Sequence, residues 1–120
     1  MHELSIVSGI VDAVIESLGS YPGAQVKKVR LRVGALAAVV EDSLQFCYGI
    51  ATDGTLLAGS SLIVEVLPVL AYCPSCNRDV AVTSLQNFRC ALCGATVSEV
   101  RQGRELEIDS IEIEEAPEKV

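Results

Sequence analysis

Cys73-Pro74-Ser75-Cys76, thirteen further residues, then Cys90-Ala91-Leu92-Cys93-Gly94 is the stretch on which the reading of this chain turns. Each Cys-x-x-Cys turn aims two thiolates at one point, and two such knuckles close a tetrahedron around a Zn²⁺ ion. Pro74 pre-sets the turn of the first knuckle, and Gly94 suits the tight backbone that follows the second. The gap falls slightly short of the usual ~15–20 residues for this class, yet it accommodates a short hairpin. Charge fits as well. Arg78, Arg89, Arg101 and Arg104 against Asp79 and Glu99 leave +2, and four thiolates with one Zn²⁺ add −2, so the loaded module is neutral. Two disulfides or a thioredoxin-like redox pair are the other readings. A single Cys-x-x-Cys would keep the redox reading alive; two of them in a reducing compartment favour metal. With all four positions taken by Cys73, Cys76, Cys90 and Cys93, such a zinc site holds a fold rather than running chemistry.

Between Leu70 and Arg104 the amphipathic patterning lapses, and on either side it resumes. Upstream, Leu4, Val7, Val11, Val14, Ile15 and Leu18 repeat at helical spacing, with Ser5, Ser8, Asp12 and Glu16 on the opposite stripe. Gly19-Ser20-Tyr21-Pro22-Gly23 stops that helix. Val29, Leu31 and Val33 alternate with Lys28, Arg30 and Arg32 as a half-buried strand does. Glu41-Asp42-Ser43 offers an acidic, cap-forming entry to a second helix through Leu44, Phe46, Cys47, Tyr48, Ile50 and Ala51, ended by Asp53-Gly54. Cys47 falls on the apolar side of that helix and reads as a small buried hydrophobe. Leu62, Val64 and Val66 give a strand closed by Pro68; Leu106 and Ile108, then Ile111 and Ile113, give a last strand whose phase slips at Asp109-Ser110, as at a β-bulge. The expected fold is α/β (α+β): two helices packed on a small, mainly antiparallel three-stranded sheet, with strands near 25–33, 61–67 and 105–114. A zinc-ribbon-like module, residues 70–104, is inserted into a domain made of residues 1–69 plus 105–120.

Composition narrows the function. At 120 residues, 50% hydrophobic and 21% charged, the chain supports a packed core. Two Phe, three Tyr and no Trp leave few platforms for stacking bases, and a net charge of −7 opposes phosphate-backbone binding as the main task. No apolar run nears the ~20 residues that span a bilayer. Met1-His2-Glu3-Leu4 also lacks a basic signal-peptide region, so the chain reads as soluble and cytoplasmic. Residues 105–120 hold seven acids and one Lys, whereas the first strand carries Lys27, Lys28, Arg30 and Arg32. If these strands are neighbours, their solvent faces form cross-strand ion pairs, each modest in energy.

His2 is the only histidine, and its position gives it interest. So large a side chain at position 2 blocks methionine removal, leaving Met1 with a free α-amine. The Met1 amine, the His2 backbone nitrogen and His2 Nδ1 then chelate one metal through adjacent five- and six-membered rings. Glu3 adds a carboxylate or another backbone nitrogen. Nitrogen and oxygen donors in a plane suit Ni²⁺ or Cu²⁺ better than Zn²⁺.

Met1-His2-Glu3-Leu4-Ser5 joined to the downstream cysteine pairs resembles the HypA/HybF family of hydrogenase nickel-incorporation proteins. The likeness continues through Val29-Arg30-Leu31-Arg32-Val33-Gly34, Val40-Glu41-Asp42-Ser43-Leu44-Gln45-Phe46, Gly54-Thr55 and Gly103-Arg104-Glu105-Leu106. Ala35 departs from it, since an acidic residue commonly follows that glycine; so does Ala91, where Pro often follows the Cys. The resemblance implies a metallochaperone that binds Ni²⁺ at His2, with the Met1 amine and Glu3 beside it, and helps insert it into the hydrogenase large-subunit precursor. It implies a nickel-handling GTPase as partner and structural zinc on Cys73, Cys76, Cys90 and Cys93. It leaves open a homodimer and a role in urease maturation. An exposed terminus with amine, imidazole and carboxylate suits delivery; a closed thiolate cage does not. The rival from another class is a zinc-ribbon nucleic-acid-binding module, against which stand the acidic last strand and a pI near 4.6. One His and no evident pair of carboxylates in a cleft give no catalytic constellation, so a non-enzyme is expected, without nucleic-acid or membrane partners.

Overall fold

In the computed structural model, residues 3–115 are described. In chain order they form α1 (Glu3–Ser17), β1 (Gln25–Gly34), α2 (Glu41–Thr52), β2 (Ser61–Leu67), β3 (Leu70–Cys73), β4 (Arg78–Ala81), β5 (Glu99–Gln102) and β6 (Leu106–Glu114). The strands make two three-stranded sheets, in the orders β2-β1-β6 and β4-β3-β5. The fold is therefore mixed α/β with two helices, as the amphipathic pattern requires, and the cysteine segment contributes a sheet of its own. Contacts divide the chain into two compact units. The first takes the residues up to Leu31, Val39–Val64 and those from Ile108 onward; the second takes Arg32–Ala38 and Glu65–Glu107.

In the first unit α1 and α2 pack against each other. Val7, Ile10, Val11, Val14 and Leu18 are buried along α1 and its continuation. The helix tightens into a 3-10 turn at Leu18–Ser20, and Tyr21 N donates to Leu18 O at 2.9 Å. The positive φ of the stop sequence falls at Gly23 (78°). On α2 the buried residues are Leu44, Tyr48 and Thr52, one turn apart. Tyr48 Oη lies 2.6 Å from Ser60 Oγ, and Thr52 Oγ1 donates to Tyr48 O at 2.7 Å, so the polar atoms of this buried row are paired. Burial outweighs the Ser60 hydrogen bond and pushes the Tyr48 phenol up from its ordinary value.

Two expectations for α2 are corrected. Cys47 is half-exposed rather than buried, and Phe46 and Ile50 face solvent, because the buried stripe repeats strictly every fourth residue from Leu44. The helix also begins without a side-chain cap: Val40 occupies that position, and Leu44 N donates to Val40 O at 3.0 Å. Glu41 and Asp42 lie inside the first turn, where their charge favours the helix dipole.

β1 buries Val26, Val29, Leu31 and Val33. In β6 the half-buried positions are Ile108, Ile111 and Ile113, so the alternation slips by one residue across Asp109-Ser110. Lys27 Nζ meets Glu114 Oε2 at 3.0 Å in the first unit. In the second, Arg32 Nη1 meets Glu107 Oε1 at 3.3 Å, Gly34 N donates to Glu105 O at 2.7 Å, and Leu36 N donates to Gly103 O at 2.7 Å. Residue numbers rise on one strand as they fall on the other, so β1 and β6 run antiparallel there. Both ion pairs are solvent-exposed and worth little individually.

Gly34 and Gly103 approach each other closely in the second unit. A Cβ on Gly34 would overlap the Gly103 carbonyl, which is backbone and has nowhere to go. Gly34 itself has ordinary extended dihedrals (φ −72°), so the demand is steric alone. Gly34→Ala is expected to destabilise by about 2–3 kcal/mol, the scale of overpacking. Gly9→Ala, on α1 with nothing within 4 Å of the added methyl, should instead stabilise by about 0.5–1 kcal/mol through helix propensity. Urea titration of both variants checks the opposite signs.

Candidate metal centre

The cysteine module folds by local rules that the knuckles impose. β3 runs antiparallel to β4 with Ala71 opposite Val80 and Cys73 opposite Arg78, and antiparallel to β5 with Ala71 opposite Val100. Ala71 and Cys73 point inward on alternate positions of β3. After Cys73 the chain turns at once: Asn77 N donates to Cys73 O at 2.7 Å, and Asn77 takes the left-handed φ of 54°. The second knuckle repeats this geometry. Gly94 N donates to Cys90 O at 2.9 Å with φ 78° at Gly94, and Cys90 N donates to Ala95 O at 2.8 Å. Sequence reading marks Gly94 and misses Asn77, although Asn stands at the equivalent place and is among the residues that best tolerate that conformation. Tyr72 Oη donates to Asn77 Oδ1 at 2.7 Å and holds the first turn.

All four expected thiolates are brought together. The sulfurs of Cys73, Cys76, Cys90 and Cys93 lie within 4.8 Å of one another. Cys73 Sγ is 3.6 Å from Cys93 Sγ, and Cys76 Sγ is 3.8 Å from Cys90 Sγ. Both are well beyond the S–S bond of about 2.05 Å, and all four cysteines are free. A tetrahedron with sulfurs about 2.3 Å from a central Zn²⁺ has edges of about 3.8 Å, so the donor set fits that ion. Leu92 N and Cys93 N both donate to Cys90 Sγ, at 3.3 and 3.4 Å, as suits a thiolate. Burial alone would raise the Cys90 thiol, but those two amides bring it down to about 6. Cys76 is pushed the other way, to about 12, chiefly by its contact with the Cys93 sulfur and then by desolvation.

The sulfurs also serve as core. Cys73 and Cys90 are buried with Ala71, Val80 and Val97, and Cys76, Val82, Phe88 and Ala95 pack against them. So small an apolar cluster does not hold a sheet by itself. At the rim, Arg101 lies 5.1 Å over the Tyr72 ring and within 3.6 Å of Asp79 and 3.4 Å of Glu99.

Of the expected amino-terminal ligands, Met1 and His2 lie outside the described residues. Glu3 opens α1, half-buried, and lines an open depression with Leu4, Asp42, Ser43, Phe46 and Cys47. Among the described residues no helix is long and apolar enough to cross a membrane.

A small α/β protein carrying a closed thiolate metal site is the class that fold and donor set define. Comparison with known proteins narrows it. A family model described as hydrogenase/urease nickel incorporation, metallochaperone, HypA, matches residues 1–113. A hydrogenase maturation factor HypA from Chloroflexus aurantiacus is 43% identical over 112 residues, covering 93% of this chain and 98% of that protein. Its counterpart from Desulfosudis oleivorans is 42% identical over 116 residues, covering 96% and 100%. The solution structure of the Ni metallochaperone HypA from Helicobacter pylori superposes with a TM-score of 0.64 over 94% of this chain and 97% of that one. At 21% identity that likeness speaks for the fold. The chain belongs to the HypA family of nickel-incorporation metallochaperones in hydrogenase maturation.

Zinc binding to this cluster must displace protons from thiols that hold them, Cys76 above all. The sign follows: affinity rises with pH while such thiols titrate, and acid returns the protons and expels the metal. Zinc retention should therefore fall as the pH is lowered, at a point set by the ion's affinity competing with protons for all four sulfurs. Chelation at neutral pH, or Cys73→Ala, should collapse amide protection across residues 70–104 while that of α1 and α2 persists. Hydrogen exchange with and without chelator checks this, and unchanged protection in residues 70–104 would refute a structural role for the metal.

Proposed function

We infer that this chain carries Ni²⁺ on its amino terminus, through the Met1 amine, the His2 backbone nitrogen and imidazole, and Glu3. The ion passes from there to the hydrogenase large-subunit precursor in the cytoplasm, with a nickel-handling GTPase as partner. Zinc on Cys73, Cys76, Cys90 and Cys93 is structural, so that residues 70–104 form the zinc module and residues 1–69 with 105–120 the nickel domain. The observation that carries this reading is the family match, which extends over residues 1–113 and so takes in the amino terminus together with the thiolate module. Chemistry supports the division. A tetrathiolate cage fills every position of its ion and exchanges slowly with partners. An amine, an imidazole and a carboxylate leave positions open to an incoming ligand, and nitrogen and oxygen donors suit Ni²⁺. No observation favours the nucleic-acid reading: Arg101, a module cation that could have met phosphate, is taken up by Asp79, Glu99 and the Tyr72 ring.

His2→Ala is expected to abolish specific Ni²⁺ binding with zinc content unchanged, since the two sites share no ligand. Acid should weaken nickel binding too, because the amine and imidazole must be deprotonated to ligate, with reference pKa values of about 7.7–8.0 and 6.5. Calorimetric titration of Ni²⁺ into zinc-loaded protein, untagged and with an amino-terminal extension, tests the assignment. Nickel binding that survives both His2→Ala and the extension would overturn it.

A further inference from the structure

The helical layer carries no positive charge. Neither α1 nor α2 contains Lys or Arg; their charged residues are Glu3, Asp12, Glu16, Glu41 and Asp42. An apolar ridge crosses this acidic surface. Leu4 on α1 is 50% exposed, and Phe46 and Ile50, one turn apart on α2, are 71% and 56% exposed. Leu4 and Phe46 line the same depression as Glu3 and Asp42. Single exposed apolar residues are ordinary, but a contiguous row with a polar rim marks an interaction surface. The contrast with Phe88, the other phenylalanine, sharpens the point: it packs against the cysteine core.

We propose that the Leu4–Phe46–Ile50 ridge is where the protein receiving the nickel docks, and that this recipient presents an apolar centre ringed by Lys or Arg. The proposal rests on the reading of the amino terminus as the cargo site. Ligand exchange requires the recipient's donor atoms to come within a few Å of the ion, and Glu3 lines the depression beside Phe46. Whatever takes the ion from that end of α1 must therefore cover this depression. Charge selects the occupant. In a two-fold pairing of two copies, acidic rim would face acidic rim around the ridge, which like-charge repulsion disfavours. A basic rim meets Glu3, Glu41 and Asp42 favourably, and its cations raise the electrostatic potential at the bound Ni²⁺. Docking thus loosens the donor's hold as the acceptor arrives.

The test uses the full chain, untagged at its amino terminus, and the purified large-subunit precursor of a nickel hydrogenase from the same organism. Phe46→Ser combined with Ile50→Ser should weaken precursor binding about tenfold or more, as loss of an exposed hot spot does. Both positions face solvent, so the fold should persist, and Ni²⁺ alone should titrate into this variant as into wild type. Glu41→Lys should weaken precursor binding at low salt, with the difference fading near 0.5 M salt, roughly, as screening predicts. Precursor binding equal to wild type in the serine variant would overturn the proposal. So would a loss confined to the maturation GTPase, or one explained by altered self-association in sedimentation. Failure of wild type to bind Ni²⁺ alone would instead strike the terminal-cargo reading, on a readout that docking does not touch.

Discussion

The pairing of β1 along both of its edges is the constraint on which the order of the rest depends. β1 lies between β2 and β6, strands that flank the cysteine segment in sequence, so the chain cannot complete this sheet until it has passed through that segment and returned. Pairing residues so far apart is entropically costly. The return is fixed by Gly34 N to Glu105 O and by Leu36 N to Gly103 O, where two glycines let backbone lie on backbone. Around that approach the second unit admits no Cβ at Gly34, and Gly103 holds a φ of 134° that L residues rarely adopt.

The long strands and both helices were legible because each has enough residues to show a period. Val29, Leu31 and Val33 or Leu62 with its neighbours declare a strand by alternation, and the slip at Asp109-Ser110 recurs as the three-then-two spacing of the half-buried Ile108, Ile111 and Ile113. β3, β4 and β5 have four residues each, too few for alternation to rise above chance, so the module's sheet went unread although its ligands did not. Cys ligands are legible for a different reason: spacing along the chain fixes their convergence, whatever the surrounding structure. Cys47 shows the limit of a helical wheel. Phe46, Cys47 and Ile50 are all apolar, but only the Leu44–Tyr48–Thr52 row has a partner layer, and an amphipathic pattern does not say how wide a stripe the neighbour will cover. Thr52 was illegible as core because its hydroxyl is satisfied locally by the Tyr48 carbonyl.

If the amino terminus carries nickel as proposed, two metal-handling arrangements with opposite requirements share one short chain. A structural ion must exchange slowly, which calls for four protein donors, burial and amides aimed at sulfur; Cys73 and Cys90 are buried and Cys90 receives two N–H bonds. A cargo ion must leave, which calls for few donors at an accessible end. Ligand type would then keep the two ions apart: thiolates suit Zn²⁺, and the proposed amine, imidazole and carboxylate suit Ni²⁺. Because selectivity comes from donor type and geometry, neither site needs to outbind the other for both ions at once.

Charge is partitioned along the same line. Apart from Lys119, every cation of the chain lies in β1 or between Arg78 and Arg104. There acidic neighbours meet several of them: Lys27 pairs with Glu114, Arg32 with Glu107, and Arg101 with Asp79 and Glu99. Exposed pairs of this kind add little to stability. They cancel positive charge locally, and the acids of α1 and α2 have no cation on their own helices. A divalent cation approaching the start of α1 then meets a surface of one sign, which raises its local concentration and its encounter rate. The long acidic strand β6, which at first sight only lowers the net charge, supplies through Glu114 and Glu107 the partners of two of β1's cations, Lys27 and Arg32.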